Sequence, residues 1–242
     1  MKVTDKIITK INRIDAGAVF GYDTLGISSD EILAASKALS RLVDKGLIKR
    51  ARKGYYYKPK VSVFGEQKPR EDVLLSLYLF EKKKQVAYIT GTRLYNRLGL
   101  TTQVPNSVRV ASMDKQIKGK VGNMLVKPAK SYVKVTNDNI RYLEILDVIK
   151  DLNTIPDLQK SDGIVYLKKV LYDFDKAEIK KLVSFGSEYP PKVRALLGAL
   201  LEAMKIDTTV YSGLKKSMNP SSSYEYGITS KLLSTANSWN II

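Results

Sequence analysis

The chain has 242 residues, 44% hydrophobic and 27% charged, with 41 lysines and arginines against 24 aspartates and glutamates and a formal net charge of +17. Cysteine and histidine are both absent, which excludes disulfide staples, Cys/His zinc sites, thiol nucleophiles and every Ser-His or Cys-His catalytic pair. A chain of this length accommodates two modest domains with their own cores, and positive charge on this scale points to a polyanionic partner.

The charge is unevenly placed. Residues 1–70 carry 15 basic and 7 acidic side chains, residues 71–134 carry 12 and 4, and residues 135–242 carry 14 and 13. The polyanion is therefore expected against the first 134 residues, with a different task for the nearly neutral last third. No charged segment followed by an apolar one opens the sequence, and no apolar run approaches the roughly 18 residues needed to span a bilayer. The expectation is a cytoplasmic protein without a membrane partner.

In chain order, VTDKIITKINRI sets Val3, Ile7, Ile8, Ile11 and Ile14 at helical spacing. A short helical turn is expected around YDTL. Next, SSDEILAASKALSRLVDKG opens with a serine suited to N-capping and acidic first-turn residues, and Gly46 suits the position just past a helix end. Ile32, Ala35, Leu39, Leu42 and Val43 form an apolar stripe, which puts Lys37 and Arg41 near the centre of the opposite face beside Ser40. LIKRA and YYYK then read as two strands joined at Arg52-Lys53-Gly54, with glycine where positive φ is wanted.

Helix, short helix, longer helix and basic hairpin within about 60 residues predict a winged helix-turn-helix. The long helix would lie in the major groove of duplex DNA. Ser36, Lys37, Ser40 and Arg41 are its candidate DNA contacts, and Arg52 and Lys53 would reach a flanking phosphate or minor groove from the hairpin tip. Among Tyr55, Tyr56 and Tyr57, strand alternation sends at least one ring into the core and leaves another able to touch sugar or phosphate.

VSVFGEQKPRED has the composition of a linker, which gives a first domain over 1–62 and a second over 71–242. Beyond it, DVLLSLYLFEKKKQ reads as a helix, VAYIT as a buried strand, GTRLYNRLG as a helix, and SVRVAS and NMLVKPAKSYVKVT as strands. Arg93 and Arg97, four apart on one helical face, are candidates for additional phosphate contacts. GTRLYNRLG lacks the glycine density and Lys-Ser ending of a phosphate-cradling loop.

From residue 137 the pattern turns helical, through DNIRYLEILDVIKDL, GIVYLKKVLYDF, DKAEIKKLVSFG and PPKVRALLGALLEAMK. The polar tail ends on Trp239 and two isoleucines and is expected to dock on the body. The fold class is α+β: an N-terminal winged helix-turn-helix, then a mixed α/β domain ending in several helices. Asp162 or Asp173 with Glu178 and Lys180 has a D…ExK-like spacing. It supports an alternative reading as a metal-dependent nuclease or phosphotransferase, although Glu178 falls in a helical pattern where such sites use strands.

Four stretches, KALSRLVDKGLIKRARKGYYYKP, YITGTRLYNRLGLTTQVP, YPPKVRALLGALLE and SMNPSSSYEYGI, together resemble the AbiEi-like antitoxin and transcriptional-regulator family of type IV toxin-antitoxin systems. The resemblance runs from about residue 17 to the end. It implies a winged helix that binds an inverted-repeat operator upstream of its own operon and a C-terminal domain required for antitoxin action. The implied partner is a nucleotidyltransferase-like toxin, countered without necessarily forming a stable complex. No catalytic residue, metal or cofactor is implied for the antitoxin itself.

Overall fold

Ile7 and Ile11, one helical turn apart and both buried, fix the first helix, α1 (Val3–Asn12), on its core. The computed structural model describes residues 3–63, 65–81 and 84–242, and the chain divides into two units: Met1–Lys83 with Gly119–Met124, and Lys84–Lys118 with Leu125–Ile242.

In the first unit α1 leads to a three-residue strand, β1 (Val19–Gly21), that the periodicity does not announce. YDTL then forms overlapping hydrogen-bonded turns, in which the Leu25 amide donates to the Gly21 carbonyl at 3.2 Å and the Ile27 amide to the Tyr22 carbonyl at 2.9 Å. Helix α2 (Ile32–Asp44) follows a 3-10 turn over Ser29–Glu31. Glu31 accepts from the Ser28 amide at 3.2 Å and the Ser28 hydroxyl at 3.0 Å, and from Lys6 of α1 at 3.1 Å. These bonds, the Ser28 backbone foremost and Lys6 next, lower the Glu31 pKa.

At its far end α2 closes in a Schellman motif. The Leu47 amide donates to the Leu42 carbonyl at 3.0 Å and the Gly46 amide to the Val43 carbonyl at 2.9 Å, with Gly46 at φ +73°. The chain then turns into β2 (Lys49–Arg52) and β3 (Tyr55–Tyr57), which with β1 make an antiparallel sheet of order β1-β3-β2. Lys53-Gly54 is the two-residue turn, Gly54 sits at φ +79°, and the pairing slips between Arg50 and Arg52. Phe20, Ile48 and Tyr56 from this region join Ile7, Leu25, Ala35 and Leu39 in one core.

The stretch expected as a linker is structured. Strands β4 (Lys60–Ser62) and β5 (Gly65–Gln67) pair antiparallel, Val61 opposite Glu66, and Lys49 ion-pairs with Glu66 at 2.7 Å. Helix α3 (Glu71–Leu79) ends earlier than the sequence suggests. Phe80 is already extended, at φ −119° and ψ 145°, because the lysine-rich continuation offers no apolar stripe to bury, and β6 (Phe80–Glu81) follows. Although read as the start of the second domain, α3 belongs to the first unit. Its Tyr78 donates to the Lys120 carbonyl at 3.4 Å and lies against Gly119, where any side chain would collide with the phenol.

The second unit opens with β7 (Lys84–Gln85), β8 (Tyr88–Thr90), helix α4 (Thr92–Arg97) and β9 (Ser107–Ser112). After β10 (Gly119–Val121), in the segment assigned to the first unit, comes β11 (Met124–Lys130). Strand β9 pairs antiparallel with β8, Tyr88 opposite Ala111, and parallel with β11, Val126 opposite Val108.

Helices α5 (Ile140–Asp151), α6 (Lys160–Tyr172), α7 (Lys176–Ser187), α8 (Pro191–Ala203) and α9 (Thr208–Lys216) complete it. Every residue from Ala195 to Leu201 is buried, so α8 is the central helix, apolar on all sides. Gly198 leaves room for the Trp239 ring, and the Trp239 indole N–H donates to Glu202 at 2.8 Å. The tail docks on this unit as expected, with Tyr226, Leu233, Trp239 and Ile241 all buried. The sequence reading passed over α9, whose signal is the Asp207 cap accepting from the Thr209 amide at 3.0 Å. Taken together this is a mixed α+β protein with a helical C-terminal region. Among the described residues no helix is long and apolar enough to cross a membrane.

Candidate nucleic-acid interface

Helix α2 presents two faces of opposite character. Ala35, Ala38, Leu39 and Leu42 are buried, and Ala38 replaces the exposed Ile32 in the expected stripe. The outward face carries Leu33, Ala34, Lys37, Ser40, Arg41 and Asp44. Among the described residues no carboxylate ion-pairs with Lys37 or Arg41. Their charges stand in solvent one helical turn apart.

Leu33 belongs to this face, and the sequence reading missed it. It is 79% exposed, one turn before Lys37. An apolar side chain beside exposed cations on a helix has the chemistry to meet a thymine methyl while its neighbours meet phosphate or a guanine edge. Its signal in the sequence is an apolar residue off the buried stripe.

Ser36 is placed differently from the outward residues. It is half-buried and lies beside Tyr22, whose pKa is raised, chiefly by burial and against the lowering effect of Ser36. The same cluster includes Tyr56, whose hydroxyl accepts from Arg50 at 3.5 Å. Ser36 thus faces the strand region behind the helix.

The two hairpin candidates also part company. Lys53 is exposed at the turn, with no ion pair among the described residues. Arg52 is held within the unit. Its guanidinium lies 5.1 Å from the Tyr55 ring centroid and 4.8 Å from that of Tyr78, and it donates to the Leu77 carbonyl near the end of α3. A planar cation between two rings, bonded to a helix-terminal carbonyl, is a clasp between hairpin and helix.

In the second unit Arg97 ion-pairs with Glu144 of α5. Burial raises the Glu144 pKa and Arg97 opposes that rise. Arg93 is half-buried, and both arginines have partners within the protein. Beneath them lies a polar cluster that the sequence reading missed. Asp147, wholly buried, accepts from Tyr88 at 2.9 Å and Thr90 at 2.5 Å and ion-pairs with Lys150; Tyr95 donates to Asp151 at 2.6 Å. Burial first, and the neighbouring carboxylate next, push the phenols of Tyr88 and Tyr95 far above the ordinary range, so both remain donors.

The residues of the D…ExK spacing are not assembled. Glu178 and Asp175 form the reciprocal cap of α7, Glu178 also ion-pairs with Arg141, and Asp162 and Asp173 are exposed on and just beyond α6. Among the described residues no group of three or more acidic side chains could hold a metal ion.

No curated protein matches this chain. Among solved structures, the RV2827C protein from Mycobacterium tuberculosis superposes with a TM-score of 0.50 at 10% identity, covering 93% of this chain and 85% of that one. At that identity the likeness is one of fold alone. The model of a family of unknown function, DUF6088, matches residues 6–162 and so takes in the outward face of α2, the hairpin and the Asp147 cluster; the chain belongs to that family.

Proposed function

We propose that the first unit is a winged helix-turn-helix, with α2 as recognition helix and the β2–β3 hairpin as wing, and that the protein is a sequence-specific double-stranded DNA-binding autorepressor. The observation that carries this reading is the outward face of α2, where Lys37 and Arg41 stand exposed without a carboxylate partner among the described residues, flanked by Leu33 and Ser40. Long-range attraction from a +17 chain would bring the duplex to the protein, and base-edge contacts from this face would choose the site.

The resemblance to AbiEi-like regulators extends the proposal to an antitoxin of a type IV toxin-antitoxin operon. Its partners would be an inverted-repeat operator and a nucleotidyltransferase-like toxin countered without a required stable complex, acting in the cytoplasm and without catalysis of its own. Lys37, Ser40 and Arg41 are the proposed groove contacts and Lys53 the proposed phosphate contact; Ser36 and Arg52 support them from within.

Footprinting on the DNA upstream of the gene tests the reading. Two symmetric protected half-sites are expected, with at least a tenfold loss of operator affinity in the Lys37→Ala/Arg41→Ala double variant, since one good base contact contributes about 1–3 kcal/mol of discrimination. Operator affinity unchanged in that variant would sink the assignment of α2.

A further inference from the structure

The first unit holds a second cationic feature, away from α2 in sequence and built as a cleft. It encloses about 230 Å³, with walls from β2, β3, α3 and the segment after Gly119. Among the described residues Lys68 and Lys120 line it with their charges, and no acidic side chain does.

Arg50 meets the cleft from β2, but its guanidinium donates to the Tyr56 hydroxyl and lies 5.7 Å from that ring, on the opposite face of the hairpin from Tyr57. Lys68 and Lys120 are exposed, and no ion pair among the described residues engages either. The rest of the lining is apolar or aromatic, notably Tyr57, Leu74, Tyr78 and Val121.

Two cations beside an apolar, partly aromatic wall match a ligand with one anionic end and one flat, weakly polar end. The chain positions the walls firmly. Gly119 admits the Tyr78 ring, the Tyr78 hydroxyl bonds to the Lys120 carbonyl, and Arg52 stacks on Tyr78, so the floor is held by contacts that a ligand need not supply.

We propose that this cleft binds one nucleotide, its phosphate between Lys68 and Lys120 and its base against the apolar wall. The chemistry is shared by a free nucleoside phosphate and by the terminal nucleotide of a single strand. The site is separate from the duplex contact assigned to α2, and either assignment can fail without the other.

The test uses the full chain and ATP carrying a fluorescent label on its ribose, followed by anisotropy. Saturable binding is expected, weakened at least tenfold in Lys68→Ala/Lys120→Ala and unchanged in Lys37→Ala/Arg41→Ala. Competition separates the sources: displacement most efficient with unlabelled ATP assigns a free nucleotide, and displacement most efficient with a 5′-phosphorylated tetranucleotide assigns a strand end. Absence of saturable binding, or equal affinity in the Lys68/Lys120 variant, overturns the proposal. Displacement by pyrophosphate as efficient as by ATP overturns the base-binding half of it. Because both lysines are exposed and without an ion pair among the described residues, the variant is expected to fold, and an unchanged circular dichroism spectrum and melting temperature verify that.

Discussion

The outward face of α2 and the Asp147 cluster treat charge in opposite ways. On α2, Lys37 and Arg41 stand in solvent with no carboxylate partner among the described residues. Around Asp147 a carboxylate is wholly withdrawn from water and surrounded by Tyr88, Thr90 and Lys150. An exposed cation costs little to the fold and keeps its field for a partner, whereas a buried carboxylate must be satisfied inside the protein and so dictates the positions of its neighbours. Exposure, then, separates charge available for recognition from charge committed to architecture, and net charge by itself does not.

That distinction revises the count by stretch. Summed over the two units, 18 basic against 10 acidic side chains fall in the first and 23 against 14 in the second. The excess is nearly equal. Part of the positive charge is engaged in each, Lys6 by Glu31 and Lys49 by Glu66 in the first unit, and Arg97 by Glu144, Arg141 by Glu178 and Lys150 by Asp147 in the second.

The largest effect expected of a single change is at the buried side of the comparison. Asp147→Ala removes the acceptor of two hydroxyls and the partner of Lys150, and the loss expected is about 3–5 kcal/mol, the range for breaking a buried ion pair by deleting one member. Urea denaturation measures it. Asp147→Asn keeps the shape and part of the hydrogen bonding and is expected to lose less. A loss below about 1 kcal/mol in the alanine variant would show that the cluster does not organise the unit.

How much of this was legible beforehand follows from the same physics. Helical periodicity gave the opening helix, α2 and the four long helices after residue 137, because burial on one face leaves a local pattern. Hairpin chemistry gave β2 and β3 through Lys53-Gly54. Strand β1 is three residues long, too short for alternation to register. The β4–β5 hairpin has a linker's composition because it is exposed.

The site was legible only in part. Amphipathicity put Lys37, Ser40 and Arg41 on the outward face, but which way Ser36 and Arg52 turn depends on Tyr22 and Tyr78, 14 and 26 residues away. The Asp147 cluster unites residues from β8, α4 and α5. No local pattern encodes such a meeting; YITGTRLY and YLEILDVIKD carry its members without a sign that they touch.

A smaller effect is expected at Arg52, where the comparison is sharpest because its neighbour has the opposite fate. Arg52→Ala removes a charged hydrogen bond to a carbonyl and two ring contacts, so a stability loss of about 2 kcal/mol is expected. The salt dependence of DNA binding should not change. A flattened salt slope without loss of stability would return Arg52 to the phosphate.

Lys53→Ala is the counterpart, with the smallest effect and the most specific signature. The side chain is exposed at the Lys53-Gly54 turn, and removing it should leave the melting temperature unchanged. If it neutralises one phosphate, its loss releases one fewer counterion on binding, so affinity falls about equally on operator and unrelated duplex. The slope of log affinity against log salt becomes shallower by about one. Affinity lost on the operator alone would instead make Lys53 a reader of base edges, and an unaltered slope would take the hairpin tip out of the interface and leave α2 to hold the duplex by itself.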